Sequence, residues 1–145
     1  MRTDFYHLTR DPAEAVIPRL AEQTLRAGER LLVVSAHEEQ LRRVSDALWE
    51  HSPESFLANG IAGGQHDAHQ PILLATSPES VNGAAFCVLA DGTWRGEARR
   101  FARVFYLFDE AVIAAARACW RELGGDEGVE RRYWKQQGRK WVEGP

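Results

Sequence analysis

The side chains equipped for chemistry are few and scattered. His66 and His69, in "HDAH", have the spacing of two metal ligands. No Cys or His pair stands where it could complete the set, so a solvated loop is the better reading. Cys87 lies in the apolar run "AFCVLA", which points it into a sheet. A nucleophilic thiol needs an exposed, electropositive setting, and core packing outweighs that role. Asp109-Glu110 stand at the start of a helix, where carboxylates complement the helix dipole more readily than they act as acid and base. No catalytic constellation assembles, and neither a cofactor nor a metal is expected.

The segment "LWEHSPESFLANGIAGG" (48–64) ends in glycines, as loops that wrap phosphates do. Gly60, Gly63 and Gly64 are followed by no Lys-Ser/Thr, and no dinucleotide fingerprint occurs anywhere. In an open α/β sheet a nucleotide is expected above the first strand-to-helix turn. That turn is "LTRDPAEA", which has no glycine. A mobile loop whose backbone needs positive φ is the favoured reading. The segment also carries Trp49, Pro53 and Phe56, residues of the kind that anchor protein interfaces. Spacing does not decide between a docking surface and rings tucked under the loop to seal the sheet.

The segment 110–123, "EAVIAAARACWREL", carries two stripes. At 100° per residue Val112, Ala116, Cys119 and Leu123 form one apolar face, the natural core side. Ile113, Arg117 and Trp120 form a second face about 100° away, with Arg121 flanking Arg117. This second face suits a small apolar pocket ringed with positive charge. It would take an acidic peptide ending in an aromatic residue and a carboxylate, with Arg as the fork. It also suits a tryptophan capping the core beside solvated arginines, and spacing alone favours that plainer reading.

The elements that must position these residues follow from hydrophobic pattern. "DFYHL" (4–8) alternates as a strand, and residues 12–27 read as a helix opening at Asp11-Pro12 and closed by Gly28, with Val16, Leu20, Thr24 and Ala27 as its stripe. Pro18 removes one backbone donor from it. "RLLVVSA" is an apolar run expected of a strand covered on both faces. A helix follows with Leu41, Val44, Ser45 and Leu48 inward, then strands at "PILLAT", "AFCVLA" and "RVFYLFD" and the alanine-rich helix. This order predicts an α/β sandwich with a largely parallel sheet. "VERRYWKQQGRKWVE" reads as two strands around Gln137-Gly138, an edge hairpin over 129–145.

With 145 residues the chain is one domain's worth, and its composition is that of a globular protein. No apolar run is long enough to span a membrane, and "MRTDFYHL" lacks a signal core. Cys87 and Cys119 in apolar stretches suit reduced thiols of a cytoplasmic core. A formal net charge of −3 excludes a binder that coats nucleic acid with its whole surface. Any DNA contact is local or indirect, through a partner. The basic tail (Arg131, Arg132, Lys135, Arg139, Lys140) is interrupted by Glu130 and Glu143.

From "FYHL" through "GERLLVVSAHEEQLRRVSDALW", "PESF", "AGG" and "QPILL" to "ARACWREL", the chain resembles the chi subunits of bacterial DNA polymerase III, accessory proteins of the clamp-loader complex. "LWEHSPESF" before a Gly-rich loop is the most specific part. The resemblance implies a Rossmann-like or P-loop-like three-layer sandwich without a nucleotide site, in a non-catalytic subunit. It implies binding to the acidic C-terminal tail of single-stranded-DNA-binding protein, and a tether between replicase and coated lagging-strand template. The tail pocket would use Arg117 and Trp120, with basic Arg121 and the position of Ile113 beside them. The psi subunit, where one exists, or a helicase would dock on Phe56, with Trp49 and Pro53 near it. The chain departs from the family's usual pattern at Ala58-Asn59 (Pro-His), Ile113 (a basic residue) and Trp120 (often Tyr). A monomer associated with the replisome in the cytoplasm is expected. The competing reading is a diverged nucleotide-binding or hydrolytic α/β enzyme.

Overall fold

In the computed structural model, which describes residues 1–51, 54 and 56–144, the chain runs β1 (Arg2–His7), α1 (Ala13–Arg26), β2 (Leu31–Val34), α2 (Glu38–Glu50), β3 (Asn59–Ile61), β4 (Ile72–Ala75), β5 (Phe86–Leu89), β6 (Arg103–Phe108), α3 (Ile113–Gly124), β7 (Glu130–Gln137) and β8 (Lys140–Glu143). The strands form one sheet in the order β3-β4-β2-β5-β6-β1-β7-β8. Neighbours are parallel except β7 and β8, which are antiparallel.

Helices cover both faces because the strands are apolar on both. On one side Ile17 and Leu20 of α1 and Leu41, Val44 and Leu48 of α2 pack on Leu31, Val33, Ile72 and Leu74. On the other, Ala116, Cys119 and Leu123 of α3 pack with Phe5, Leu32, Val34 and Leu73. The expected three-layer α/β sandwich is the observed one. No helix among the described residues is long and apolar enough to cross a membrane.

α1 continues through Pro18, whose buried ring replaces the missing hydrogen bond with packing. The stripe expected on α1 ends at Thr24. Ala27 falls past the last turn, exposed at the C-cap, before Gly28 at φ +80°.

Two expectations are corrected. The glycine-rich segment is not one loop: Asn59–Ile61 pair with β4 as an edge strand. Of the segment's three glycines only Gly63 has a positive φ (+112°), while Gly60 lies close under the flexible Gln70 side chain, which a Cβ there would have to displace. The tail is a hairpin, but only β8 lies at the sheet edge. β7 is an interior strand, parallel to β1 along six residues from Arg2–Glu130 to His7–Lys135.

β7 is held by polar contacts as well as by the ladder. The Trp134 Nε1–H donates to Asp4 Oδ1 at 3.2 Å, and the buried Asp4 carboxylate also takes Arg103 at 2.8 Å and Arg2 at 3.1 Å. Three hydrogen-bonding partners are what make a carboxylate tolerable at that depth.

Candidate functional site

α3 and the C-terminal hairpin flank a half-open cavity of about 390 Å³. The second stripe of α3 lines one wall through Ile113, Arg117 and Trp120. Tyr133, Lys135 and Gln137 of β7 line another, with Val142 and Glu143 of β8 and with His7 and Glu110 beyond. The α3 residues come together because residues three and four apart share a helix face. The β7 residues do so because alternate residues share a strand face.

Trp120 is a fixed wall. Its ring meets Phe5 edge-on at 5.2 Å and Tyr133 edge-on at 5.7 Å. The Arg131 guanidinium lies 4.1 Å from the ring centroid and donates to the Trp120 carbonyl. The plainer sequence reading therefore holds in part, since Trp120 does pack on the core. It is nonetheless only half-buried and lines the cavity.

The charges are unevenly matched. Glu110 lies 3.0 Å from His7 Nε2, a contact that lacks hydrogen-bond geometry, and Glu143 lies 3.7 Å from Arg132. Arg117 and Lys135 are exposed and, among the described residues, have no ion-pair partner. Burial pushes the Tyr133 phenol up, the charge of Arg117 pulls it down and that of Glu110 pushes it up again, so both charges are felt at this wall of the cavity. The arrangement is an aromatic and aliphatic floor with two free cations. It can bury an apolar ring and grip a carboxylate. Arg121, one turn beyond Arg117, is exposed and is not among the residues lining the cavity.

Sequence reasoning missed the hairpin's share of this wall. The period-2 alternation of "YWKQQ" was the available signal, but using it required knowing that β7 pairs with β1.

The second surface lies at the other end of the sheet. Phe56 is 79% exposed and Trp49 57% exposed, and Ile61 is exposed as well. Leu57 is buried and Asn59 is clamped, accepting from Ser45 Oγ at 2.6 Å and donating to the Leu57 carbonyl at 2.9 Å. Holding these two inward turns Phe56 outward, with its backbone in the left-handed region at φ +46°. Neither ring seals the sheet. Trp49 and Phe56 make no ring contact with each other, and Pro53 lies outside the described residues.

The positions suspected of phosphate binding are occupied by the chain itself. Gly63 and Gly64 donate their N–H groups to the Asp67 carboxylate at 2.8 and 3.0 Å. In the turn after β1, the amides of Thr9, Arg10 and Asp11 donate to Gln136 Oε1 at 3.4, 3.1 and 3.2 Å. A cavity of about 730 Å³ opens beside that turn at the carboxyl ends of β1, β5 and β6. There burial pushes Asp91 up, but two hydrogen bonds from Arg95 and one from the Ala36 amide outweigh it and leave the carboxyl low. His66 and His69 are exposed, and among the described residues no group of three His, Cys, Asp or Glu side chains is placed to hold a metal. Cys87 and Cys119 are buried, and burial pushes both thiols up to about 12.

A comparison with curated proteins finds no match. A family model described as DNA polymerase III chi subunit, HolC, matches residues 1–130.

Proposed function

Because this chain belongs to the DNA polymerase III chi subunit family, an accessory subunit of that polymerase, we propose that it is a non-catalytic connector. In this reading it binds the acidic C-terminal tail of single-stranded-DNA-binding protein and links the clamp-loader complex to coated lagging-strand template in the cytoplasm. The chain acts as a single domain whose hairpin completes the tail pocket.

The observation that carries the reading is the cavity between α3 and the hairpin. Ile113, Trp120 and Tyr133 offer apolar surface beside Arg117 and Lys135, two cations free of ion pairs among the described residues. A tail ending in an aromatic residue would place its ring against Trp120 and its terminal carboxylate on the Arg117 fork. Its upstream acidic residues would meet the field of Lys135 and Arg121. A psi-type subunit, or a helicase, docks on the opposite surface through Phe56 and Trp49, and Pro53 of the same segment is assigned to that interface. Against the enzyme reading stands the turn after β1, whose amides already bond Gln136.

The test is a titration of a fluorescent peptide with acidic residues and a C-terminal aromatic into the purified protein. Binding that falls with salt but does not vanish is expected, because exposed charge attraction is screened within about 8 Å while ring burial persists. A wild-type protein that ignores the peptide refutes the assignment.

A further inference from the structure

The two faces of the C-terminal hairpin serve different cavities. Lys135 pairs with Val142 across β7–β8, and both line the α3 pocket, whereas Gln136 pairs with Trp141. Gln136 and Trp141 point to the opposite face, into a separate groove of about 270 Å³. Arg10 from the first turn, Arg19 from α1 and Arg139 from the hairpin turn line the same groove. All three are exposed and, among the described residues, none has an ion-pair partner. The one acid lining the groove, Asp11, already accepts from Gln136 Nε2 at 2.7 Å. Trp141 is fixed at the groove, edge-on to Tyr6 at 5.0 Å.

Three guanidiniums without ion pairs, brought from three chain segments to one groove, make a local positive field that favours an anion. From this geometry we infer that the groove binds single-stranded nucleic acid directly, its phosphates on Arg10, Arg19 and Arg139 and a base against Trp141. The volume is on the scale of one nucleotide. A strand of spaced phosphates matches cations spread along a groove, and a tryptophan serves any base because every base has a π-face. An acidic peptide is less well matched: its terminal aromatic ring needs apolar lining, which the pocket on the other face of the hairpin supplies through Ile113, Trp120 and Tyr133. The inference does not rest on the tail reading, and Arg139 and Trp141 lie beyond the residues matched to the family. The contact is local, consistent with a net charge of −3.

The test uses the intact chain and a fluorescein-labelled oligo-dT, read by anisotropy at about 50 and about 200 mM salt. Wild type should bind at the lower salt and lose affinity at the higher. Arg19→Glu and Arg139→Glu should each weaken binding by about tenfold or more. Each should also flatten the slope of log affinity against log salt by about 0.7 for every phosphate that the variant no longer neutralises. Arg100→Glu, exposed and outside both the groove and the α3 pocket, should bind the oligonucleotide as wild type does. Both groove variants should keep wild-type affinity for the acidic peptide, so failure here is separable from failure of the tail pocket. Arg19→Glu on exposed α1 keeps the test valid if Arg139→Glu disturbs the hairpin. Absent binding at low salt, or equal binding by both groove variants, overturns the inference. So does an acidic peptide that displaces the oligonucleotide and is itself weakened by Arg19→Glu, which assigns the groove to a protein tail.

Discussion

The amide of Gln136 is bound at both ends to the turn containing Asp11: Nε2 donates to the Asp11 carboxylate at 2.7 Å, and Oε1 accepts from the Asp11 N–H at 3.2 Å. Thr9 adds its hydroxyl, which donates to the Gln136 carbonyl at 2.7 Å. One residue of β7 thus closes the turn where an α/β nucleotide-binding protein would hold phosphate.

Gln136→Ala should therefore destabilise the protein. It strips a shared acceptor from three backbone donors, and each buried polar group left unsatisfied costs about 1–3 kcal/mol. Water can reach some of these donors, so a net loss of about 2–3 kcal/mol is expected in urea unfolding. The amides of Thr9, Arg10 and Asp11 should exchange faster with solvent in the variant. A change below about 0.5 kcal/mol, the range of an ordinary surface substitution, would show that the plug is incidental.

In the tail pocket, Arg117→Ala should weaken peptide binding most, by roughly 2 kcal/mol as for an interface anchor. Arg117→Lys should also bind poorly, because an ammonium lacks the bidentate fork. Trp120→Ala should rank next, and Arg121→Ala, outside the cavity, least. Since Trp120 also packs on Phe5 and Tyr133, its truncation should cost roughly 3 kcal/mol of stability as well. Calorimetric titration beside thermal melting separates the two effects.

Phe56→Ala should leave stability within about 0.5 kcal/mol of wild type, as for other exposed positions. The ring is 79% exposed, so no core is opened. Phe56→Gly should be neutral to mildly stabilising, because a left-handed backbone costs an L-residue about 1–2 kcal/mol and the extra freedom of the unfolded glycine offsets part of that gain. Affinity for a protein partner on this surface should fall by about 2 kcal/mol in either variant. A large drop in melting temperature for Phe56→Ala would place the ring in the core instead.

The two thiols should be inert in the native protein. An unfolded cysteine titrates at about 8.5, and burial raises both Cys87 and Cys119 to about 12. Their folded values lie above the unfolded one, so the stability they contribute is complete below a pH of about 8.5 and is lost as pH rises toward 12. A thiol reagent at a pH of about 8 should label neither residue until denaturant is added. Rapid labelling of native Cys119 would mean that α3 opens from the sheet.

Local pattern was enough for the elements. The apolar run at Leu31–Val34, the stripes of α1 and α2, and the two faces of α3 are written in spacings of two and of three to four residues, because burial acts through the periodicity of each element alone. The same spacing put Ile113, Arg117 and Trp120 on one face, and the matched segments carried the family. What local pattern could not carry was the pairing of β7 with β1, elements at opposite ends of the chain, since strand order is set by the whole sheet. That pairing brings Tyr133 and Lys135 to Trp120 and seats Gln136 in the turn at Asp11. It also disperses the linear basic tail: Arg131 goes to the Trp120 ring and Arg132 to Glu130 and Glu143, while Arg139 joins Arg10 and Arg19. Charge in a sequence is a list, and only the packed sheet decides which charges share a surface and which are already neutralised.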